Sequence, residues 1–217
     1  MCIRHRNHKV IHTRVHLRII LTDRMYTFGI YFQIILFSAS ILLIGACLSE
    51  PPYYKMPESP QDCTPHSILL RFIDALGFRY YWATEGLKDH EYEYRPSPDS
   101  RSMKELLLHI KGLVNTIDVS FGGKTHEMKK DLKPCEIRRE TLYTIFEARK
   151  KLLKMSSKKL RTCSMYSSYY DREFPIWNVI NGPICDAITH VGQLNSWRRL
   201  EGNPIHGANV FLGEPPI

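Results

Sequence analysis

Apolar residues recur every three or four positions through four separate stretches of this chain, and no run alternates apolar with polar residues strictly enough to suggest a sheet. A period near 3.6 buries one face of a helix, whereas a half-buried strand needs a period of two. The expected fold class is therefore all-α, a four-helix bundle. The first stripe, within 67–88, is Leu69, Phe72, Leu76, Tyr80, Ala83 and Leu87. The second opens at Ser102 with Glu105 three residues on, a capping-box pattern, and runs through Leu106, Ile110, Leu113, Val114, Ile117 and Phe121 to a stop at Gly122-Gly123. The third, about 136–155, carries Leu142, Ile145, Phe146, Leu152 and Leu153. The fourth begins near Pro175 and ends at Gly202, with Ile180, Ile184, Ala187, Val191 and Leu194 on one side. Gly182-Pro183 falls inside it and should kink or split the helix, because proline removes a backbone hydrogen bond. Residues 156–174, with Tyr166, Tyr169 and Tyr170, read as a long loop.

Ahead of the helices lie segments with a different logic. Residues 1–24 are a basic leader, and 25–46 (MYTFGIYFQIILFSASILLIGA) form a run of 22 residues without a charge. Such a run suffices for a membrane anchor helix or for the apolar core of a signal peptide. It ends in Ile44-Gly45-Ala46-Cys47, which looks like a bacterial lipoprotein box with Cys47 as the lipidated residue. An uncleaved anchor with a passive cysteine is the other reading. Both expect a protein of the cell envelope held at a membrane by its N-terminal segment. Residues 47–65, rich in proline and acidic side chains, read as a tether to a helical domain over 66–202. A C-terminal tail, 203–217, should wrap the surface.

The net charge of +8 first suggests a nucleic-acid partner, but residues 1–46 contribute +5 of it and the remainder only +3. That is too little for a phosphate-binding footprint, so no nucleic-acid partner is expected. Cys63, Cys135, Cys163 and Cys185 show neither zinc-ribbon nor CxxC spacing. One disulfide and buried free thiols are equally compatible with them.

The chemistry concentrates in His109, Asp186 and His190. Asp186 and His190 are four residues apart and share one face of the fourth helix, beside its apolar stripe. His109 borders the apolar stripe of the second helix in the same way. A third ligand from a facing helix would give three protein ligands with open positions left for water or substrate. Gln193 continues the stripe of Asp186 and His190 and could hydrogen-bond a ligand or a substrate, or simply pack. Against the metal reading, Asp–His at this spacing is a common surface ion pair, and a lone histidine beside a core is usually structural. Mixed imidazole and carboxylate donors would admit zinc, nickel, manganese or iron. His5, His8, His12 and His16 recur at three- or four-residue spacing but belong to the leader.

Two motifs resemble the DinB/YfiT-like family. EYRPSPDSRSMKELLLHI is similar to the R-P-x-P…S-x-x-E-L-L-x-H-I stretch that leads into the second helix of that family. HVGQLNSWRRLEG is similar to its H-R-G-Q…L-R-x-L-G stretch on the fourth. The resemblance spans most of residues 66–202. It implies an up-down-down-up four-helix bundle holding a divalent metal through three histidines, often as a homodimer. His109 and His190 match two of those ligands, while the third falls at Asp186 and would turn the set into two histidines and a carboxylate. Val191 stands where the family often has arginine. The resemblance further implies a metal-dependent hydrolase or thiol S-transferase acting on a small molecule. The alternative is a non-catalytic helical binding or structural protein that has lost the family's metal chemistry.

Overall fold

The computed structural model describes residues 50–125, 131–205 and 207–216. Among these, four long helices dominate: α1 (Pro65–Thr84), α2 (Met103–Ser120), α3 (Pro134–Lys154) and α6 (Cys185–Leu200). Two single-turn helices, α4 (Ser157–Leu160) and α5 (Ile176–Val179), flank a hairpin of β1 (Ser164–Ser167) and β2 (Arg172–Pro175). The strands pair antiparallel with Ser164 opposite Pro175.

Local chemistry sets the helix limits. Thr64 caps α1 reciprocally with Ser67, and Pro65 occupies its first turn, where a missing N–H costs nothing. Ser102 and Glu105 form the expected capping box on α2, with Ser102 N–H donating to Glu105 Oε2 at 2.7 Å. The Gly122-Gly123 stop also holds. Gly122 has φ of +89°, and a Cβ on Gly123 would lie 1.9 Å from Asp118 Oδ2. Helix α1 ends at Thr84, earlier than the apolar stripe suggests, and Gly86 with φ of +67° turns the chain away.

Cross-helix contacts give the directions. His66, at the start of α1, meets the Leu152 carbonyl near the end of α3 at 3.1 Å, and Arg138 near the start of α3 donates to Thr84 Oγ at 3.1 Å. These two helices therefore run antiparallel. Lys111 pairs with Glu140 at 3.1 Å and Asp118 with Lys151 at 2.7 Å, so α2 and α3 run the same way. Late in α6, Arg198 donates to the carbonyls of Ala83 and Glu85 at the end of α1. Ile180, just before α6, lies beside Ile68 and Phe72 in the first turns of α1, so α1 and α6 are parallel.

Leu69, Ile73, Leu76, Leu106, Ile110, Val114, Ile117, Leu142, Ile145, Ile184, Ala187, Val191 and Leu194 join one buried cluster. The fourth stripe from Ile184 to Leu194 is thus core as expected, with Ile180 half-buried against it. Two residues of the other stripes are exposed: Phe72 is 42% exposed and Leu153 is 52% exposed. Ile73 and Leu70 take the inward position beside Phe72, because the buried face of α1 is broad and centred differently from the expected stripe.

Three further expectations change. The stretch 156–174 is not a plain loop, since α4 and most of the hairpin fall in it. The fourth helix does not start cleanly at Pro175: the chain passes through α5 and a wide π-helical turn over Ile180–Ile184, where Gly182 is non-helical (φ −87°, ψ −108°). That is the disruption expected of Pro183. The described part of the tether is not a free spacer either. Residues 50–57 lie antiparallel along α1, with Tyr81 Oη donating to Glu50 (2.7 Å), Trp82 Nε1 to the Tyr54 carbonyl (3.2 Å) and Arg71 to the Pro57 carbonyl (2.9 Å). Tyr53, at φ of +79°, is buried against Gly77, where an added Cβ would sit 2.6 Å from its ring. The C-terminal tail closes over this strap: Met56 N–H donates to the Gly213 carbonyl at 2.9 Å, and Lys55 pairs with Glu214 at 2.7 Å.

Cys63, Cys163 and Cys185 are free thiols, and of the four described cysteines Cys163 alone is buried. Among the described residues no helix is long and apolar enough to cross a membrane. The apolar run 25–46, Cys47 and the leader histidines lie outside the described residues.

Candidate metal centre

Three elements build the site. Helix α2 contributes His109 from its second turn, one turn beyond the capping box. The π-helical turn ends at Ile184, which places Asp186 in the first turn of α6, where a carboxylate is favoured by the helix dipole. His190 follows one turn later on the same face. Buried Ile110 on α2 and Ala187 and Val191 on α6 pack beneath, so the helices are fixed while the three side chains remain partly open to solvent.

The three expected residues converge. One donor atom from each lies within 4.8 Å of the others. His109 Nε2 is 3.6 Å from Asp186 Oδ2, and His190 Nε2 is 3.4 Å from Asp186 Oδ1. A cation ~2.1 Å from each donor in a tetrahedral set would space those donors ~3.4 Å apart; each imidazole lies near that distance from one oxygen of the carboxylate, His109 from Oδ2 and His190 from Oδ1. The imidazoles meet edge to face, with ring centroids 4.7 Å apart and planes at 80°. That arrangement lets both Nε2 atoms point at the carboxylate instead of stacking.

Gln193 decides how these groups are protonated. Its Oε1 lies 2.7 Å from His190 Nδ1, and a carbonyl oxygen can only accept. This contact favours the tautomer with its proton on Nδ1, and in that form neutral His190 presents a lone pair at Nε2. Facing it is Asp186 Oδ1, another lone-pair atom. Two acceptors at that separation repel unless a cation or a second proton comes between them. A hydrogen bond to the remote ring nitrogen is also the usual support of a ligating histidine.

Electrostatics act in the same direction on His109. Burial holds its imidazole below the ordinary histidine range, with the charges of Arg101 and His190 adding to the effect and Asp186 opposing it. A neutral imidazole is the form that ligates. Arg101 has no counterpart in the sequence reading. It sits one residue before the capping Ser102, and only the fold brings its charge to bear on His109.

Cys185, next to Asp186 in sequence, is exposed and stands outside the three-residue group, as its helical angle requires. Val191 is buried in the core, so no arginine could occupy it without repacking. Comparison of the chain with family models and with curated proteins finds no match.

Proposed function

We propose that this chain is an exported, membrane-tethered DinB-like metalloprotein that holds a divalent cation through His109, Asp186 and His190. The observation that carries the reading is the convergence of the three side chains, with His190 Nε2 3.4 Å from Asp186 Oδ1 while its Nδ1 meets Gln193 Oε1 at 2.7 Å. The antiparallel α1/α3 and parallel α2/α3 and α1/α6 pairs support an up-down-down-up four-helix bundle, the architecture that the two motifs imply. The N-terminal apolar run, ended by Cys47 or retained whole, is the membrane attachment.

Three protein donors leave the solvent side of the site open. A bound cation there would supply Lewis acidity and lower the pKa of a water or a thiol. Asp186 and the two imidazoles orient that position, and Gln193 keeps His190 in the ligating tautomer. Hydrolysis or thiol transfer on a small molecule is the chemistry such a site supports.

Metal analysis of the purified full chain tests this. Stoichiometric zinc, nickel, manganese or iron in the wild type, lost in His109→Ala and in His190→Ala, is the expected result. Substoichiometric metal that neither substitution changes would overturn it. In that event the cluster is an ion pair in which a second proton on His190 meets Asp186, and the protein is a non-catalytic helical module.

A further inference from the structure

We propose that the end of the helical domain where α1 terminates is a membrane-docking face, with Tyr54 and Trp82 lying at the lipid headgroups. This rests on the tether reading above, in either of its forms. The order of the strap along α1 is the basis. Glu50 is fixed by the Tyr81 hydroxyl near the end of α1, and the chain then runs back to Pro65 at the helix start. Pro51 and Pro52 stiffen the segment that follows Glu50, and Tyr53 locks into the notch at Gly77.

Only Leu48 and Ser49 lie between Cys47 and Glu50, a reach of about 10 Å at full extension. Whether Cys47 carries lipid or residue 46 ends an anchor helix, the bilayer lies within that distance of the last turn of α1. The side chains there suit it. Tyr54, Tyr81 and Trp82 form one aromatic cluster, with ring centroids 5.1 to 5.9 Å apart, and Arg138 lies over Tyr81 at 4.4 Å. Tyr54 is 46% exposed and Trp82 half-buried, and Arg79, also exposed, lies on the last turns of α1. Amphipathic aromatic rings with neighbouring cations are the composition of a membrane interface.

The competing surface is at the opposite end of α1. There an apolar groove of about 460 Å³, lined by Ile68, Phe72, Leu160 and Trp177, opens between α1, α4 and α5. Trp177 is 73% exposed, so by exposure alone it is the better membrane anchor. The route of the strap argues against it, since the attachment point enters the fold a full helix length away.

Tryptophan quenching separates the two. The full chain is reconstituted into vesicles of phosphatidylglycerol and phosphatidylcholine containing brominated acyl chains. One variant, Trp177→Phe with Trp197→Phe, retains only Trp82; another, Trp82→Phe with Trp197→Phe, retains only Trp177. Strong quenching of Trp82 with Trp177 unaffected is expected. The reverse pattern, or quenching of neither while the protein still floats with the vesicles, overturns the docking face and leaves the tether standing. Protein that does not float overturns the tether reading and the face with it. Should a double variant fold poorly, amine labelling of the wild type reads the same geometry: Lys88 is expected to be shielded several-fold on vesicles relative to detergent, and Lys158 is not. Equal labelling of both in the two conditions overturns the face.

Discussion

Gln193 would act on the proposed metal centre without touching the cation. Its amide oxygen lies 2.7 Å from His190 Nδ1, and accepting a hydrogen bond from Nδ1–H favours the tautomer that leaves Nε2 free to ligate. Gln193→Leu is expected to weaken metal affinity by roughly 10-fold, the lower end of what loss of such a partner costs, with the fold retained. Competition against a chromogenic chelator measures it. His109 gives the pH dependence. Its folded-state pKa lies below the ordinary 6.5. As pH falls through that value the unfolded chain takes up the proton first, so the stability of the metal-free protein declines on acidification and is complete above it. Urea midpoints between pH 7.5 and 5.5 should fall, and His109→Gln should reduce the slope. At this scale the sequence was informative: the four-residue spacing of Asp186 and His190 and the position of His109 beside its apolar stripe picked out the three side chains that the fold brings together. Arg101 was not legible, because its influence on His109 exists only after the capped turn has folded.

Elements were read unevenly, and the reasons are physical. The buried stripes of α2 and α6 repeat with the helical period, and both caps of α2 are written in the sequence as Ser102-x-x-Glu105 and Gly122-Gly123. The hairpin at 164–175 left no such mark. Neither of its strands has a buried face, with Tyr166 59% exposed on β1, so there was no alternation to detect. The strap was misread for the opposite reason. Its prolines and charges look like a linker, yet one buried ring anchors it. Tyr53 Oη donates to Asp74 Oδ1 at 3.4 Å, and Arg149 Nε donates to the same oxygen at 2.7 Å. Burial pushes the Asp74 carboxyl up against the pull of Arg149, so ionised Asp74 is tolerated there only because its partner is present. Asp74→Ala is expected to destabilise the domain by about 3 kcal/mol, since it strands a largely buried guanidinium. Replacing both Asp74 and Arg149 with apolar residues should cost less than that single change. Denaturant unfolding of the two variants checks the difference.

For the whole molecule, a cation held between α2 and α6 crosslinks two helices that are distant in sequence. Binding to the folded state alone adds about 2.7 kcal/mol at 100-fold excess over Kd. Added zinc should therefore raise the thermal midpoint of the wild type and leave His190→Ala unmoved, as calorimetry would record. The helix directions were not readable from the stripes, which carry no sense of up or down. They came from long polar side chains at the helix ends, Arg138, Lys151 and Arg198, whose partners lie 33 to 115 residues away.

If the chain is tethered as proposed, the clasp between residues 55–56 and 213–214 sets how far this domain could stray from its anchorage. Met56 and Lys55 are held by Gly213 and Glu214, the last residues a protease or an engineer would consider expendable. Trim the chain before Asn209, and the strap loses one of its two flanks. If it then peels from α1, the leash no longer begins at Glu50 but at Pro65, and its reach grows from about 10 Å to about 60 Å. On the proposed attachment, the same helices would then roam at the end of a string instead of being held close to a bilayer.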